Sequence, residues 1–241
     1  MKRILFMILR LFYVAPYYFF KVWWYSRHLN KYSEEQCFQL LKKMTTKANK
    51  AGRVIIDVHG LENIPKEDGF VYFPNHQGLF DVLAFLESSP KKFRVVMKKE
   101  VSNTILVKQV RLLLRGIPID REDVRASIKV IQTMTEDVKN KKNYIIFAEG
   151  TRSKQGNIVQ KFKGGSFKSA VNAKCPIVPV ALVDSYKSFD TKSIKPVTVQ
   201  IHYLEPMLYE EYKDMKTVEI AAMVQERIQQ AIDKAITNND L

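Results

Sequence analysis

Residues 70–81 read FVYFPNHQGLFD, a stretch from which the kind of fold can be predicted. The apolar run at residues 70–75 is typical of a short strand. A helical segment is expected to follow at residues 79–87. His76 lies between the two, in a loop where a strand passes into a helix.

The same alternation continues along the chain on both sides of this stretch. Short β-branched or aromatic runs predict seven strands, at residues 53–60, 70–75, 93–97, 116–120, 143–149, 177–183 and 196–204. Helices are expected between or around many of them, at residues 33–51, 79–87, 102–114, 124–140, 165–173 and 217–236. The pattern predicts an α/β fold, a single layered domain with a central mixed, partly parallel sheet flanked by helices. We expect that domain over residues 51–241, preceded by an N-terminal helical segment over residues 1–50.

Composition restricts the partners and the chemistry. The two cysteines, Cys37 and Cys175, have no CxxC or histidine-rich neighbours, so the sequence predicts no disulfide framework and no structural metal site. The formal charge of +14 indicates an anionic partner: nucleic acid, an anionic membrane face or a phosphorylated small molecule. Residues 91–115 carry eight Lys or Arg against one acid, Glu100. This cationic stretch fits either solvated surface lysines or an anion-facing surface.

The N-terminus favours a membrane partner. Residues 4–25 contain only Arg10, Pro16 and Lys21 as non-apolar residues. On a continuous helical wheel Arg3, Arg10, Lys21 and His28 lie within about 20° of one another, which predicts one cationic edge. A kinked helix pair in the membrane interface fits this pattern best, while a span and a buried domain helix stay open.

His76 and Asp81 form the first candidate site. Five positions correspond to about 140° around a helix, so both side chains cannot project from one helical face. The two side chains can meet if His76 lies in the loop and Asp81, in the first helical turn, points back toward it. The carboxylate would then hold one ring nitrogen and leave the other as a base. A metal half-site is disfavoured because no third ligand is near, but a loop histidine remains an alternative.

Two further loops carry donors that suit an anion. FAEGTRSKQG, residues 147–156, ends a strand at Glu149 and then presents hydroxyl, guanidinium and ammonium groups. Lys161 and Lys163 precede a glycine pair and a helix start, which could add to the same anion site. RGIPIDRED, residues 115–123, delivers Arg121 just beyond a short strand. Each loop, taken alone, is equally consistent with a solvated turn.

Taken together, these segments resemble the glycerolipid acyltransferase family, specifically its 1-acyl-sn-glycerol-3-phosphate acyltransferases. The NHxxxxD motif is matched by Asn75, His76 and Asp81, and the glycine-to-arginine motif by Gly116 to Arg121. The FxEGTRS block is matched by Phe147, Glu149, Gly150, Thr151, Arg152 and Ser153, and the VPV strand by Val178, Pro179 and Val180. The four blocks occur in the family's order.

The resemblance implies an enzyme that moves an acyl group from a thioester to the 2-hydroxyl of lysophosphatidate. His76 would be the general base and Asp81 its orienting partner. Arg121, Glu149, Gly150, Thr151, Arg152 and Lys163 would bind the phosphate or glycerol. Asn75, Gly116, Ser153 and Pro179 would support the motifs.

The resemblance also sets expectations for partners. The donor would be acyl-CoA or acyl carrier protein as a co-substrate, with no bound cofactor and no metal. The cationic stretch and the N-terminal segment would dock the enzyme on an anionic lipid surface at the cytoplasmic face of a membrane. Related acyltransferases acting on glycerol 3-phosphate or another lysolipid stay open. A basic, non-enzymatic membrane-peripheral protein is a more distant alternative, and no nucleic acid is expected.

Overall fold

The computed structural model describes residues 2–120 and 123–239. Within these residues the helices are α1 Lys2–Arg10, α2 Ala15–Arg27, α3 Glu34–Ala51, α4 Asp81–Ser88, α5 Val107–Leu113, α6 Val124–Lys139, α7 Lys168–Ala173, α8 Tyr186–Phe189, α9 Tyr209–Tyr212 and α10 Thr217–Asn239. The strands are β1 Val54–His59, β2 Val71–Pro74, β3 Arg94–Lys98, β4 Ile117–Ile119, β5 Tyr144–Ile145, β6 Ile177–Val183 and β7 Val197–Tyr203. The 3₁₀ turns are Leu61–Asn63 and Gly164–Phe167.

The strands form one mixed sheet, and its order determines where the loops meet. Across the described residues the order is β1-β7-β6-β2-β5-β3-β4. β6 and β7 are antiparallel, whereas the other neighbouring pairs are parallel. The strands from β6 to β4 therefore end at one edge of the sheet, where ligands bind in open α/β folds. The predicted fold class is confirmed.

Apolar side chains cover both faces of the sheet, as is typical of parallel strands. Along the opening stretch, Phe70 and Tyr72 pack in a core with the residues of α3 and α4. Val71 and Phe73 pack in a second core with the residues of α6, α7 and α10. The predicted start of α3 is confirmed, because Ser33 and Gln36 form a reciprocal capping box.

The N-terminal helices are bent rather than continuous. Among the described helices none is by itself long and apolar enough to cross a bilayer, but α1 and α2 pass that test as a pair bent by 101°. α1 packs against α3 and α8, and α2 packs against α3 and α5. The 1–50 and 51–241 division stays a prediction.

The prediction of a single cationic edge along this segment is wrong. Arg3 is 1% exposed, and its guanidinium donates to the backbone oxygens of Gly52, Ser188, Ser193 and Lys195. Arg10 donates to the backbone oxygen of Ala51 at 2.9 Å. A helical wheel assumes one straight helix, and the break between α1 and α2 invalidates that assumption.

Ion pairs neutralise much of the cationic stretch, residues 91–115. Arg94 lies 2.6 Å from both Glu34 and Asp137. Carboxylates from distant segments or nearby turns also approach four lysines, Lys91, Lys92, Lys98 and Lys99. The net charge counted along the sequence therefore overstates what this stretch offers to an external anion.

Two local expectations were wrong in detail, and two short helices were missed. Residues 102–106 form turns instead of the first part of a helix, and Leu106 has a positive φ of 70°. Strand β5 is only two residues long, because residues 146–147 are irregular and a turn follows at residues 148–149. The short helices α8 and α9 were not predicted, since four residues are too few for an apolar periodicity.

Candidate active site

The His76 and Asp81 side chains are in direct contact at the end of β2. His76 lies in the loop after the strand, and Asp81 is the first residue of α4. Nδ1 of His76 is 2.7 Å from Oδ2 of Asp81. The Asp81 side chain is fully buried, whereas 22% of the His76 side chain is exposed. The contact leaves Nε2 of His76 to exchange a proton with a bound molecule.

Further hydrogen bonds fix the carboxylate of Asp81 in one orientation. Its Oδ2 also accepts from the backbone N–H groups of Gln77 at 2.7 Å and Gly78 at 3.0 Å. Its Oδ1 accepts from the hydroxyl of Ser185 at 2.5 Å. A buried carboxylate with this many donors is held rigidly, and it therefore fixes the orientation of the imidazole.

The loop that follows β5 holds the backbone of His76 from both sides. The backbone N–H of His76 donates to Oε1 of Glu149 at 2.7 Å. The backbone N–H of Ser153 donates to the carbonyl of His76, also at 2.7 Å. The ring of Phe147 lies 4.1 Å from the imidazole, centroid to centroid. The two motifs, 66 positions apart from Asp81 to Phe147, therefore form one unit in the fold.

Glu149 has an unusual environment for a carboxyl group. Burial raises its pKa to about 7, although the backbone N–H groups of His76 and Gln160 oppose this increase. Its Oε2 atom is buried and has no hydrogen-bond partner among the described residues. A neutral carboxyl group at this position can donate a hydrogen bond, and it leaves one oxygen for a bound hydroxyl.

The predicted anion-binding residues that the structure describes are grouped near this loop. Gly150 has φ of 81°, a conformation that favours glycine. Thr151, Arg152 and Lys163 are exposed. The guanidinium of Arg152 makes no hydrogen bond or ion pair within the described part of the chain. Arg121, the other predicted phosphate contact, lies outside the described residues.

The supporting motif residues have structural contacts. The side chain of Asn75 accepts from the backbone N–H of Leu182 at 2.7 Å and donates to its carbonyl at 3.0 Å. Asn75 thus replaces a strand residue where β2 and β6 separate. Ser153 bonds to the carbonyl of Ile158, Gly116 precedes β4, and Pro179 pairs with Phe73 inside the sheet.

A largely apolar cavity of about 230 Å³ lies beside the His76 loop. Its wall includes Phe147 and Gly150 from the loop after β5, together with Lys163. The apolar side chains are contributed mainly by β3, β4 and α6: Val96, Ile119, Val130, Ile131 and Met134. Phe147 belongs both to this cavity wall and to the support of His76. No cluster of three His, Cys, Asp or Glu side chains suited to a metal occurs in the described ranges.

Sequence reasoning missed Gln77 and Ser185. Gln77 lies within the stretch at residues 70–81, but an amide side chain there does not by itself indicate a role. Ser185 follows the apolar strand β6, and nothing in the local sequence distinguishes it from an ordinary turn serine. Both contacts depend on the packing of β2 beside β6.

The mixed α/β sheet carries a His–Asp pair at its strand ends, beside a loop with hydroxyl and guanidinium groups. This combination fits an acyl-transferring protein. The chain belongs to the acyltransferase family, whose family model matches residues 55–183, just over half of its length. The predicted family resemblance is confirmed.

Several relatives carry more specific names. The chain is 31% identical to a chloroplastic 1-acyl-sn-glycerol-3-phosphate acyltransferase of Brassica napus, over 57% of this chain and 40% of the relative. It is 29% identical to the enzyme of that name from Cocos nucifera, over 64% and 51%. The human 1-acyl-sn-glycerol-3-phosphate acyltransferase alpha is 31% identical over 63% and 54%. The chain spans about half the length of these relatives.

One solved structure matches almost the whole chain. It is the 1-acyl-sn-glycerophosphate (LPA) acyltransferase PlsC from Thermotoga maritima, with a TM-score of 0.78 and 25% identity. The match covers 97% of this chain and 96% of that one. Because the match leaves out only 3% of this chain, it includes most of the N-terminal segment, residues 1–50.

Proposed function

We propose that the protein transfers an acyl group from a thioester to the 2-hydroxyl of 1-acyl-glycerol 3-phosphate, giving phosphatidic acid. The observation that carries the proposal is the contact of 2.7 Å between His76 and the buried Asp81, joined to the loop that bears Glu149 and Arg152. The names of the relatives support the choice of acceptor.

The chemistry requires a base beside the acceptor hydroxyl. Nε2 of His76 removes the hydroxyl proton as the oxygen attacks the thioester carbonyl. Asp81 stabilises the imidazolium that forms, through Nδ1. Collapse of the tetrahedral intermediate breaks the C–S bond, and the imidazolium returns its proton to the leaving thiolate. No acyl-enzyme is needed, because the acceptor itself supplies the nucleophile.

The loop after β5 is positioned to hold the acceptor. Glu149 has a buried oxygen without a hydrogen-bond partner in the described part of the chain, which suits the glycerol hydroxyl. Arg152 is exposed, and a planar guanidinium can bind a phosphate through two hydrogen bonds. Arg121 and Lys163 complete the proposed phosphate site, and Gly150 and Thr151 shape its backbone.

We assign the cavity of about 230 Å³ to the acyl chain of the donor. Its wall is mostly apolar, and Phe147 brings it next to the imidazole. Both acyl-CoA and acyl carrier protein deliver such a chain as a thioester.

We also infer that the protein acts at the cytoplasmic face of a membrane. The exposed apolar residues of α1 and α2 and the two free cysteines, Cys37 and Cys175, support this location.

The test is an acyl-transfer assay of the purified protein. It crosses acyl-CoA and acyl carrier protein donors with lysophosphatidate and glycerol 3-phosphate acceptors. His76→Ala should lower kcat/KM by roughly 10²- to 10⁴-fold, the usual contribution of a general base. His59→Ala, an exposed histidine on β1, is the matched control and should retain activity. Full activity of His76→Ala, or transfer only to glycerol 3-phosphate, would contradict the proposal.

A further inference from the structure

Ser185 contacts the His76–Asp81 pair from a part of the chain outside the family motifs. It follows β6, 104 positions after Asp81, and is 0% exposed. Its hydroxyl donates to Oδ1 of Asp81 at 2.5 Å. This is a short hydrogen bond to a carboxylate, in the range expected when the acceptor carries charge.

The two oxygens of Asp81 are held unequally. Oδ2 lies next to Nδ1 of His76 and also accepts from two backbone N–H groups. Oδ1 accepts from Ser185 alone within the described residues. Without the Ser185 hydroxyl, one oxygen of a fully buried carboxylate would have no donor there, and burial makes that loss costly. The carboxylate would then be held through Oδ2 alone, which keeps it beside the imidazole but allows small changes in its orientation.

The turn that carries Ser185 is itself fixed to the His76 loop. The buried amide of Gln77 accepts from the backbone N–H of Ser185 at 2.7 Å and donates to the carbonyl of Leu182 at 2.9 Å. Asp184 adopts φ of 61°, a left-handed conformation that aspartate tolerates better than most residues. Its backbone N–H donates to the side chain of Asn157 at 2.9 Å. The chain therefore turns sharply, and the turn places the Ser185 hydroxyl against Asp81.

We propose that Ser185 is a positioning residue, which holds Asp81 in the orientation that keeps His76 ready to accept the substrate proton. The inference rests on the proposed function of His76. The hydroxyl also disperses the negative charge of the carboxylate, because a donated hydrogen bond stabilises the charged form. Removing it leaves more of that charge to stabilise a protonated imidazole. The titration of His76 should therefore move to higher pH.

The experiment compares Ser185→Ala with Ser188→Ala in the full chain. Ser188 is also 0% exposed and lies three residues away, but its hydroxyl has no hydrogen-bond partner among the described residues. Ser185→Ala should lower kcat by roughly 10- to 100-fold, since small misplacements of a base cost that much, with little change in KM. It should also raise the midpoint of the His76 titration followed by nitrogen-15 NMR. Ser188→Ala should match the wild type in both.

A second variant separates positioning from packing. Ser185→Cys keeps the shape of the side chain with a slightly larger atom but supplies only a weak thiol donor, so its midpoint should also rise. The proposal is overturned by an unchanged or lowered midpoint in the folded Ser185 variants, or by equal effects in Ser188→Ala. Since the NMR titration needs no turnover, an inactive wild-type protein would refute the proposed function and still leave Ser185 tested.

Discussion

The carboxyl group of Glu149 joins the two loops of the site through its hydrogen bond to the backbone of His76. Its raised pKa has a consequence for stability as well as for binding. The folded protein holds this proton up to about pH 7, whereas an unfolded chain releases it near the ordinary value of 4.5. Because the folded state binds more protons between these values, its stability falls as pH rises through that window.

We therefore expect Glu149→Gln to flatten this pH dependence. The amide keeps an oxygen for the His76 N–H but cannot ionise, so it imitates the neutral form. Relative to the wild type, the variant should gain stability between pH 5 and pH 8, by up to about 3 kcal/mol. Urea unfolding at several pH values measures this. Glu67→Gln, on an exposed loop, controls for the loss of one acidic group; a wild-type slope in Glu149→Gln would contradict the expectation.

For single residues, the sequence predicts contacts between positions that are close in sequence or that belong to one motif. The five-residue spacing of His76 and Asp81 allows only a loop-to-helix contact, which the structure contains. Ser185 could not be predicted, because its contact with Asp81 depends on β6 lying beside β2. The partners of Arg94 were equally inaccessible, since Glu34 and Asp137 come from two separate helices. Arg121 lies outside the described residues, so its role stays a prediction.

Among the elements, α1 is attached to the domain by a buried cation. The guanidinium of Arg3 binds four carbonyl oxygens, including that of Gly52 just after α3. Met7 of the same helix is also buried. The carboxyl end of a helix carries partial negative charge, so the position after α3 suits a cation. α1 is therefore part of the packed structure as well as a carrier of exposed apolar side chains.

Arg3→Met should loosen α1 without unfolding the sheet. The loss of charged hydrogen bonds should reduce stability by about 2–3 kcal/mol. Hydrogen exchange should increase over residues 2–10, and limited proteolysis should cut there first. Lys2→Met removes an exposed charge from the same helix and should leave both readouts unchanged. Exchange in Arg3→Met as slow as in the wild type would show that packing alone holds the helix.

Element positions could be predicted well, but some element ends and the contacts between elements could not. All seven strands follow from apolar runs, because such runs are buried wherever the strand is placed in the sheet. The kink between α1 and α2 was predicted from Pro16, which lies in the first turn of α2, but the backbone contacts of Arg3 and Arg10 could not be. Residues 102–106 read SNTIL, which is too short for an apolar periodicity, and Leu106 departs from helical geometry with φ of 70°.

Over the whole molecule, exposed apolar side chains are concentrated on α1, α2 and the segment between them. They are Leu5, Ile8, Leu9, Phe12, Tyr13, Tyr17, Phe19, Phe20 and Trp24, each at least 40% exposed. An exposed apolar patch of this size is typical of a membrane or protein contact. Deletion of the segment is a poor test, since Arg3, Met7 and Val22 are buried in the domain.

Point variants test membrane binding more cleanly. Phe12→Ser with Phe20→Ser should reduce flotation with anionic liposomes on the order of tenfold, because each aromatic side chain contributes burial energy. Val218→Ser with Met223→Ser is the matched control. These two residues are exposed on α10, which packs on the opposite face of the sheet from α3 and α4. Equal flotation of both double variants would exclude the N-terminal surface as the docking site.

For the whole molecule, the order of the strands in the sheet could not be predicted from the sequence. Alternating strands and helices indicate a partly parallel sheet, but they do not show that β7 inserts between β1 and β6 or that it runs antiparallel to β6. Those features arise from long crossovers, whose course depends on packing across the whole sheet. The antiparallel pair sets β1 and β7 apart from the five strands whose ends form the site.

Phe147 lies between His76 and the apolar cavity, and this position has a consequence for how the substrate is selected. One face of its ring supports the imidazole, and the residue also lines the apolar cavity. An acyl chain that fills the cavity would press this ring against His76, whereas a chain too short to reach it would leave the base less constrained. In the proposed enzyme, the length of the acyl chain would thus affect the rate of the chemical step as well as the affinity for the donor.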